Sequence, residues 1–245
     1  MRLVLVSILA LASSGCGNSG GDDELLVSAA ASLTDAFVAV ADVFEQANPG
    51  LDVVLNLAGS STLREQILEG SPTDVFASAN LSTMQQVVEA GVTSGTPRVF
   101  AENRLQIAVP AGNPGGLVDL DDLANEELLV GLCAVGVPCG DSARTVLVEA
   151  GVDVSVDTNE PDVRSLLSKI EAGELDVGIT YVTDVISTDG AVEGLDIPEE
   201  LNVVAGYPIV ALEGAGDADL AKAFIDFVLS SDGQEIIAEF GFVSR

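Results

Sequence analysis

The sequence of 245 residues contains no histidine and no tryptophan, and it has only two tyrosines, three cysteines and nine basic side chains. Without histidine, neither a Ser-His-Asp triad nor a Cys-His pair can form. The chain also lacks a phosphate-binding Walker loop and a GxGxxG motif after a strand, and it offers no cysteine and histidine set for a zinc ion. These absences argue against histidine-dependent nucleophilic catalysis, a zinc site and nucleotide chemistry.

Positive charge is the second scarce property. Nine lysine and arginine residues stand against 39 aspartate and glutamate residues, which gives a formal net charge of −30. Such a field repels nucleic acid phosphates and anionic lipid headgroups, and no basic stretch offsets it. We therefore expect no nucleic acid partner. Because 48% of the residues are hydrophobic, the chain is predicted to be globular, with the acidic side chains solvating its exterior.

The N-terminus has the pattern of an export signal. Residues 1–15 carry one arginine and then an apolar run that is too short to span a bilayer, and small residues precede Cys16. This arrangement is similar to a lipoprotein processing site, with residues 16–24 as a flexible tether. Ser13 stands where leucine is usual, so both lipidation of Cys16 and simple cleavage stay open. We expect an exported protein, at the cell surface or in the periplasm, that touches the membrane only through a lipid anchor.

The two remaining cysteines lie close together in "GLCAVGVPCGD". If Cys16 takes a lipid, Cys133 and Cys139 form an even pair in an oxidising compartment. Six residues of separation within a Gly/Pro loop can bring two Cα atoms into bridging range. We predict a disulfide, and two free thiols are the alternative.

Strand-like and helix-like segments alternate along the chain, which predicts an α/β fold. The predicted strands are residues 25–30, 51–57, 75–79, 106–109, 128–132, 177–180 and 207–212. The predicted helices are residues 33–47, 63–69, 82–90, 142–150, 163–172, 220–229 and 233–240. Segments 102–116 and 202–216 have the composition of linkers. They predict two lobes joined by two crossings, with residues 25–105 plus 206–245 in lobe 1 and residues 106–205 in lobe 2.

Small and hydroxyl-bearing residues follow the predicted strands at "AAASLTD", "AGSSTLRE", "VPCGDSAR" and "NEPDVRS". Ser32 with Asp35 and Thr62 with Glu65 have the spacing of capping boxes, and Asn159 precedes a Pro-Asp pair that can begin a helix. Helix N-termini at the carboxyl ends of strands present unpaired N–H groups and the positive end of the helix dipole. Small residues let a ligand reach that backbone, so the four turns together predict an anion site.

These four turns, together with "PDVRSLLSKIEAGELDVGITYVTDV" and "SSDGQEIIAEFGF", occur in the order found in the molybdate-binding proteins of bacterial ABC importers, and the resemblance covers residues 25–242. It implies a two-lobed periplasmic-binding-protein fold, type II-like, with the ligand cleft between the lobes. It also implies a monomer that is not an enzyme, needs no cofactor, and captures molybdate or tungstate for an ABC permease.

Position by position, the resemblance assigns five oxyanion contacts: Ser32, Ser60, Cys139, Val163 and Tyr181. Both serines would donate a hydroxyl and a backbone N–H, Cys139 and Val163 a backbone N–H, and Tyr181 its phenol. No side chain would bind the metal directly, because molybdate enters as an oxyanion. Ser61 is the alternative to Ser60 if the register is shifted by one residue.

The resemblance implies a site without cationic side chains, so we expect Arg64, Arg144 and Arg164 to be surface or lobe-bridging charges. Two other functions stay open. One is the same fold binding another oxyanion, such as sulfate, or a small carboxylate, for which an arginine clamp would be the distinguishing feature. The more distant one is an enzyme with Ser32 or Ser60 as its nucleophile, which needs a base within reach.

Overall fold

A computed structural model of the protein describes residues 23–244. Within this range it has ten strands, eight α-helices and two short 3-10 turns. The strands are β1 (Asp23–Ala30), β2 (Leu51–Ala58), β3 (Val75–Ala77), β4 (Thr93–Pro110), β5 (Val130–Cys133), β6 (Thr158–Glu160), β7 (Val177–Tyr181), β8 (Val192–Asp196), β9 (Val204–Leu212) and β10 (Val243–Ser244). The helices are α1 (Thr34–Ala47), α2 (Ser60–Leu68), α3 (Leu81–Glu89), α4 (Pro138–Ala150), α5 (Val163–Glu171), α6 (Val182–Ile186), α7 (Ala218–Val228) and α8 (Ser231–Glu239). The 3-10 turns are Ala31–Leu33 and Leu120–Ala124.

The predicted signal peptide, residues 1–15, lies outside the described residues, and so do Cys16 and residues 16–22 of the predicted tether. The last two tether positions, Asp23 and Glu24, belong instead to β1. They pair with Leu51 and Asp52 of β2, so the ordered sheet begins two residues earlier than predicted. No helix in residues 23–244 is long and apolar enough to cross a membrane.

The predicted alternation of strands and helices is confirmed. β1 is the centre of a parallel arrangement, with β2 on one side and β3 on the other. Leu25 is buried and so is every residue from Val27 to Ala30, as expected for a parallel strand that is covered on both faces. Three strands, β6, β8 and β10, and the one-turn helix α6 were not predicted; β6 and β8 carry few apolar side chains, unlike the short strands that were predicted.

Strand β4 belongs to two sheets. Its first part pairs with β9, up to Arg104 opposite Val204, in a sheet of order β2-β1-β3-β9-β4. From Leu105 onward it pairs with β7 and β8, and the second sheet continues through β5 to β6. The fold is therefore two-lobed, and each sheet has helices packed against it.

The segments predicted as linkers, residues 102–116 and 202–216, are mostly strand. Residues 102–110 lie in β4 and residues 204–212 form β9, and the two strands pair with each other. Their apolar side chains, such as Ile107 and Ile209, are completely buried. The chain therefore passes between the lobes within the paired strands β4 and β9 and not through loops. These passages lie close to the predicted lobe boundaries. The exact division into residues 25–105 plus 206–245 and 106–205 stays a prediction.

Aromatic rings fix the position of the chain where the two sheets meet. Tyr207 of β9 lies with its ring centroid 6.4 Å from Phe100, 5.3 Å from Phe242 and 6.0 Å from Tyr181. Tyr207 is fully buried, and Tyr181 is 1% exposed. Edge-to-face packing on several sides holds an aromatic ring in one orientation, so both phenol groups have defined directions.

Candidate functional site

A small cavity lies between the two lobes, at the points where four strands give way to helices. Its free space is about that of one water molecule. Its lining residues are Ala30, Ala31, Ser32, Gly59, Ser60, Ala79, Val137, Pro138, Cys139, Asp162, Val163 and Tyr181. The structure thus brings together all five residues that the sequence singled out, while their role as ligand contacts stays a prediction.

The two lobes touch each other at this cavity. Gly59 precedes α2 in the first lobe, and a Cβ atom placed on it would lie only 2.5 Å from the backbone oxygen of Pro161 in the second lobe. Glycine is required there because any side chain would hold the lobes apart. The structure is therefore that of a closed cleft.

Three of the helical N-termini at the cavity are left without side-chain caps. The residues before the Ala31–Leu33 turn, α2 and α4 are Ala30, Gly59 and Val137, and none of them makes a side-chain cap hydrogen bond. Helices away from the cavity are capped, by Asn80, Asp217 and Ser230. Because the first N–H groups of a helix have no partner inside the helix, the uncapped ends present free donors to the cavity.

The predicted capping boxes are wrong for this reason. The hydroxyl of Ser32 bonds the Tyr207 hydroxyl at 2.9 Å instead of closing a capping box with Asp35. Thr62 lies inside α2, which begins three residues earlier than a Thr62 cap would require.

The fourth turn differs from the prediction in its capping residue. The N-cap of α5 is Asp162, whose Oδ1 accepts a hydrogen bond from the Ser165 N–H at 2.8 Å, whereas Asn159 accepts one from Arg144. Asp162 is the single charged residue in the cavity lining, and this bond turns its carboxylate toward α5. The charge of Asp162 is thereby balanced in part by the N-terminus of its own helix.

Ser60 is held as a hydrogen-bond donor. The Ala79 N–H donates to Ser60 Oγ at 3.0 Å, and Ser60 is 1% exposed. Since this bond occupies a lone pair, the proton of the hydroxyl is left for another partner. Ser60 lines the cavity and Ser61 does not, which favours the register that was predicted.

Tyr181 carries the most conspicuous unused donor of the site. Its hydroxyl is buried and has no hydrogen-bond partner among residues 23–244. The hydroxyls of Ser142 and Tyr207 are near enough to interact with it electrostatically, but neither meets hydrogen-bond geometry. Burial, reinforced by Tyr207 and Asp184, raises the pKa of Tyr181 well above its ordinary value. The phenol therefore keeps its proton, and an unpaired buried donor at a cavity indicates a ligand position.

Cys133 and Cys139 form a disulfide in the structure, with their Cα atoms 5.8 Å apart. It joins the end of β5 to the first turn of α4. Space is tight there, since a Cβ atom on Gly140 would lie 2.2 Å from the Ala134 backbone oxygen. The bridge thus fixes the segment that carries the Cys139 N–H against the sheet.

Two of the three arginines near these turns serve the structure of their own lobe. Arg64 bonds Gln86 and Glu65 on the surface of the first lobe. Arg144 donates to the backbone oxygens of Cys133 and Gly140, and so supports the loop before α4. Neither side chain belongs to the cavity lining.

Arg164 joins the two lobes. From α5 of the second lobe it forms an ion pair with Asp35 of α1, and its Nε donates to the Ala31 backbone oxygen at 3.4 Å. A third bond, 3.1 Å to Ser187 Oγ, ties it to its own lobe. It too lies outside the lining of the cavity, as expected for a lobe-bridging charge.

Sequence reasoning missed two buried residues behind the site, Asn103 and Tyr207. Tyr207 bonds Ser32, and the Asn103 amide faces Tyr207 and Thr183. One signal could have drawn attention to Tyr207: the chain has two tyrosines, and both lie here. Asn103 has no such signal, because only the pairing of β4 with β9 places it beside Tyr207.

Comparisons with known proteins agree with this geometry. Residues 25–243 match the sequence profile of the bacterial extracellular solute-binding protein family. The molybdate-binding protein ModA of Mycobacterium tuberculosis is 36% identical over 231 residues, which cover 94% of this chain and 88% of that protein. The chain belongs to the ModA family of bacterial extracellular solute-binding proteins. Members of this family act outside the cytoplasm, which places the chain on that side of the membrane as well.

Solved structures of the same fold include proteins for different oxyanions. The periplasmic molybdate-binding protein of Azotobacter vinelandii superposes with a TM-score of 0.78 at 19% identity, covering 90% of this chain and 99% of that one. The sulfate-binding protein SubI of Mycobacterium tuberculosis superposes with a TM-score of 0.80 at 20% identity, covering 90% and 86%. The fold is thus shared, and the ligand depends on the details of the cavity.

No group of three or more acidic or cysteine side chains in residues 23–244 is arranged to hold a bare metal ion. The donors that line the cavity are hydroxyls and backbone N–H groups, which bind oxygen atoms of an anion and not a cation. What the site can do chemically is to surround a small anion with hydrogen-bond donors.

Proposed function

We propose that the protein captures molybdate, and also tungstate, between its lobes and delivers it to an ABC permease. The observation that carries this proposal is a closed cavity whose donors are uncapped helix N-termini and three hydroxyls, with no cationic side chain in its lining. Relatives named as molybdate-binding proteins support the choice of ion. The five contact residues remain Ser32, Ser60, Cys139, Val163 and Tyr181.

Desolvation explains why the cavity needs so many donors. A dianion that leaves water must have its oxygen atoms saturated by fixed hydrogen bonds, because otherwise its desolvation free energy would exceed the free energy of its contacts with the protein. Each charge-assisted hydrogen bond contributes about 1.5–3 kcal/mol. Several such donors in a water-excluded space can therefore hold a dianion without an opposite charge beside it.

The kind of donor selects the kind of anion. Molybdate and sulfate carry no proton near neutrality, whereas hydrogen phosphate carries one that needs an acceptor. Because the Asp162 carboxylate is turned toward α5, the remaining groups of the lining leave that proton without a partner, which penalises hydrogen phosphate. Size separates molybdate from sulfate, because a cavity fitted to the larger ion leaves long hydrogen bonds to the smaller one.

Closure of the lobes links capture to delivery. The contact between Gly59 and Pro161, and the bonds of Arg164 to the first lobe, exist only when the cleft is closed. A permease that recognises the closed form then receives only loaded protein. We expect the protein to act as a monomer held at the membrane by a lipid on Cys16.

A catalytic role for the serines is not supported by their surroundings. Ser32 Oγ bonds the Tyr207 hydroxyl and Ser60 Oγ accepts from the Ala79 N–H. Neither partner can act as a general base at neutral pH. The competing function is the binding of a different oxyanion such as sulfate, in view of the structural likeness to SubI.

Titration calorimetry with molybdate, tungstate, sulfate and phosphate tests the proposal. The unmodified protein should bind molybdate and tungstate far more tightly than the other two ions. Ser32→Ala and Ser60→Ala should each weaken molybdate binding by about 1.5–3 kcal/mol, because each loses one charge-assisted bond. Ser28→Ala is the matched control: Ser28 is equally buried, but its hydroxyl bonds Thr73, away from the cavity. Tight sulfate binding with weak molybdate binding would overturn the proposal.

A further inference from the structure

A short chain of hydrogen bonds runs behind Ser32. Asn103 Oδ1 accepts a bond from the Arg104 N–H at 2.9 Å, which fixes the orientation of the amide. Its Nδ2 group donates to Thr183 Oγ1 at 2.8 Å and also faces the Tyr207 hydroxyl at 3.5 Å. Tyr207 in turn lies 2.9 Å from Ser32 Oγ. Asn103, Thr183, Tyr207 and Ser32 are each no more than 5% exposed, so water does not compete for these bonds.

The amide decides which way the Tyr207 proton points. An amide NH₂ group can only donate, so the Tyr207 proton is repelled from Asn103. A phenol proton lies near the plane of its ring. The Tyr181 hydroxyl does not meet hydrogen-bond geometry with Tyr207, so the remaining partner is Ser32 Oγ. Tyr207 therefore donates to Ser32, and burial, followed by the nearby Asp184 charge, raises the pKa of Tyr207 far enough that it keeps this proton.

The direction of that bond determines what Ser32 offers the cavity. If Ser32 donated to Tyr207, only lone pairs would remain for a ligand. Because Tyr207 donates, one lone pair of Ser32 is used and its proton is available to the cavity. Ser60 is arranged in the same way by the Ala79 N–H, so two unrelated groups impose the same polarity on the two serines.

We propose that Asn103 and Tyr207 are positioning residues that hold Ser32 as a hydrogen-bond donor and thereby set the preference for fully deprotonated oxyanions. Neither residue lines the cavity. The inference rests on the proposed function, since it assigns the origin of selectivity in the same site. It predicts that selectivity changes while all five contact residues stay intact.

Asn103→Asp should reverse the direction of the hydrogen bonds between residue 103, Tyr207 and Ser32. One oxygen of the new carboxylate can accept from the Arg104 N–H, and the other faces the Thr183 and Tyr207 hydroxyls, both of which can donate to it. Tyr207 then turns its proton away from Ser32 and accepts from it. Ser32 would present lone pairs to the cavity, which repel a deprotonated anion and accept the proton of hydrogen phosphate.

Tyr207→Phe removes the constraint without reversing it. The ring and its aromatic contacts are kept, and the Ser32 hydroxyl becomes free to rotate. Molybdate affinity should fall by about two- to fivefold, because one ordered hydrogen bond is lost. Discrimination against hydrogen phosphate should fall further, because Ser32 can then accept as well as donate.

The decisive measurement compares sulfate with phosphate at pH 8, by competition against molybdate in a calorimeter. Both ions are then dianions of similar size, and they differ in one proton, so their affinity ratio reports the polarity of the donors and not the shape of the cavity. Asn103→Asp should shift this ratio toward phosphate by about tenfold or more. Asn56→Asp, which adds the same charge at a site whose amide bonds Gln66 and Ser28, should leave the ratio unchanged.

The outcomes distinguish a failure of the proposed function from a failure of the inference about Asn103 and Tyr207. If the unmodified protein does not bind molybdate, the proposed function fails. If it binds molybdate, but Asn103→Asp and Tyr207→Phe weaken sulfate and phosphate equally, the two residues have only a structural role and the inference is wrong. Should Asn103→Asp not fold, the sulfate-to-phosphate ratio of Tyr207→Phe decides, and an unchanged ratio in that variant also overturns the inference.

Discussion

The ion pair between Arg164 and Asp35 should stabilise the closed cleft, and Asp35→Asn is the change that tests this. Arg164 belongs to α5 in the second lobe, and Asp35 lies in the first turn of α1 in the first lobe. In an open cleft the two side chains separate, so their attraction contributes only to the closed state. The substitution keeps the size of the side chain and removes its charge.

The structure limits how large the effect can be. The Arg164 and Asp35 side chains are 31% and 42% exposed, so solvent screens much of their attraction. A partly exposed pair of this kind contributes about 0.5–1 kcal/mol. That free energy corresponds to a two- to fivefold change, at about 1.4 kcal/mol per factor of ten, in the ratio of closed to open protein. We expect molybdate affinity to fall by about the same factor, mainly through faster release.

Asp226→Asn is the matched control. Asp226 pairs with Lys222 and Arg98, all within the first lobe, and its loss changes the net charge by the same amount. Stopped-flow measurement of molybdate association and dissociation should show faster dissociation for Asp35→Asn alone. If both variants release molybdate at the same rate as the parent protein, or if both change equally, the ion pair does not stabilise closure.

Three further predictions concern the disulfide, a buried carboxyl group and the net charge. Exported protein should give a Cys133–Cys139 linked peptide in non-reducing mass mapping, and reduction should lower its stability by about 2 kcal/mol, as expected for so short a loop; recovery of both cysteines as free thiols would contradict this. Burial raises the pKa of Asp184 from 3.8 to about 7 even though the Arg164 charge opposes the shift, so the folded state binds this proton more tightly than the unfolded state does. The free energy of unfolding should therefore fall as pH rises from about 4 to about 7, by up to about 4 kcal/mol from this group. Urea unfolding at pH 5 and pH 8 should show a smaller fall for Asp184→Asn than for the parent protein. An equal fall in the two proteins would refute the raised pKa of Asp184. A protein of net charge −30 repels a dianion, and at physiological salt this repulsion is screened beyond about 8 Å. Added NaCl should therefore speed molybdate association and leave its dissociation rate nearly constant. An association rate that falls with salt would indicate that a cationic residue steers the ion.

The regular part of the fold could be predicted because it rests on local signals. Strand β1 is a short, mostly apolar run that begins at Leu25, and α1 and α5 show apolar residues at helical spacing. The length of β4 could not be predicted, since its first half contains Gly95, Pro97 and the charged Arg98 and has no alternation. Those residues become strand because β9 supplies backbone partners along most of the segment.

The backbone turns of the candidate site could be predicted, but the side-chain hydrogen bonds behind them could not. The turns that carry Ser32, Ser60 and Cys139 could be predicted as an anion site because each lies between a strand and a helix, which is a local feature, and the family resemblance assigned the individual residues. The capping boxes were wrong because a cap and an open anion site require the same N–H groups, and local spacing cannot distinguish them. Tyr207 reaches Ser32 across 175 residues of sequence, and such a contact depends on the order of strands in the sheet.

In the proposed site, the polarity of the two serines separates affinity from selectivity. Affinity depends on the groups that touch the ion, and those are hydroxyls and backbone N–H groups that could serve several oxyanions. Selectivity depends on the partners behind them, the Ala79 N–H for Ser60 and the Tyr207 hydroxyl for Ser32. The first partner is backbone, and no substitution can reverse it. The second partner is the Tyr207 hydroxyl, and the Asn103 amide determines the direction of its proton. A single change at Asn103 can therefore alter which anion is preferred. Two proteins with identical contact residues can therefore differ in their ligand, and residues that never touch the ion must be compared as well.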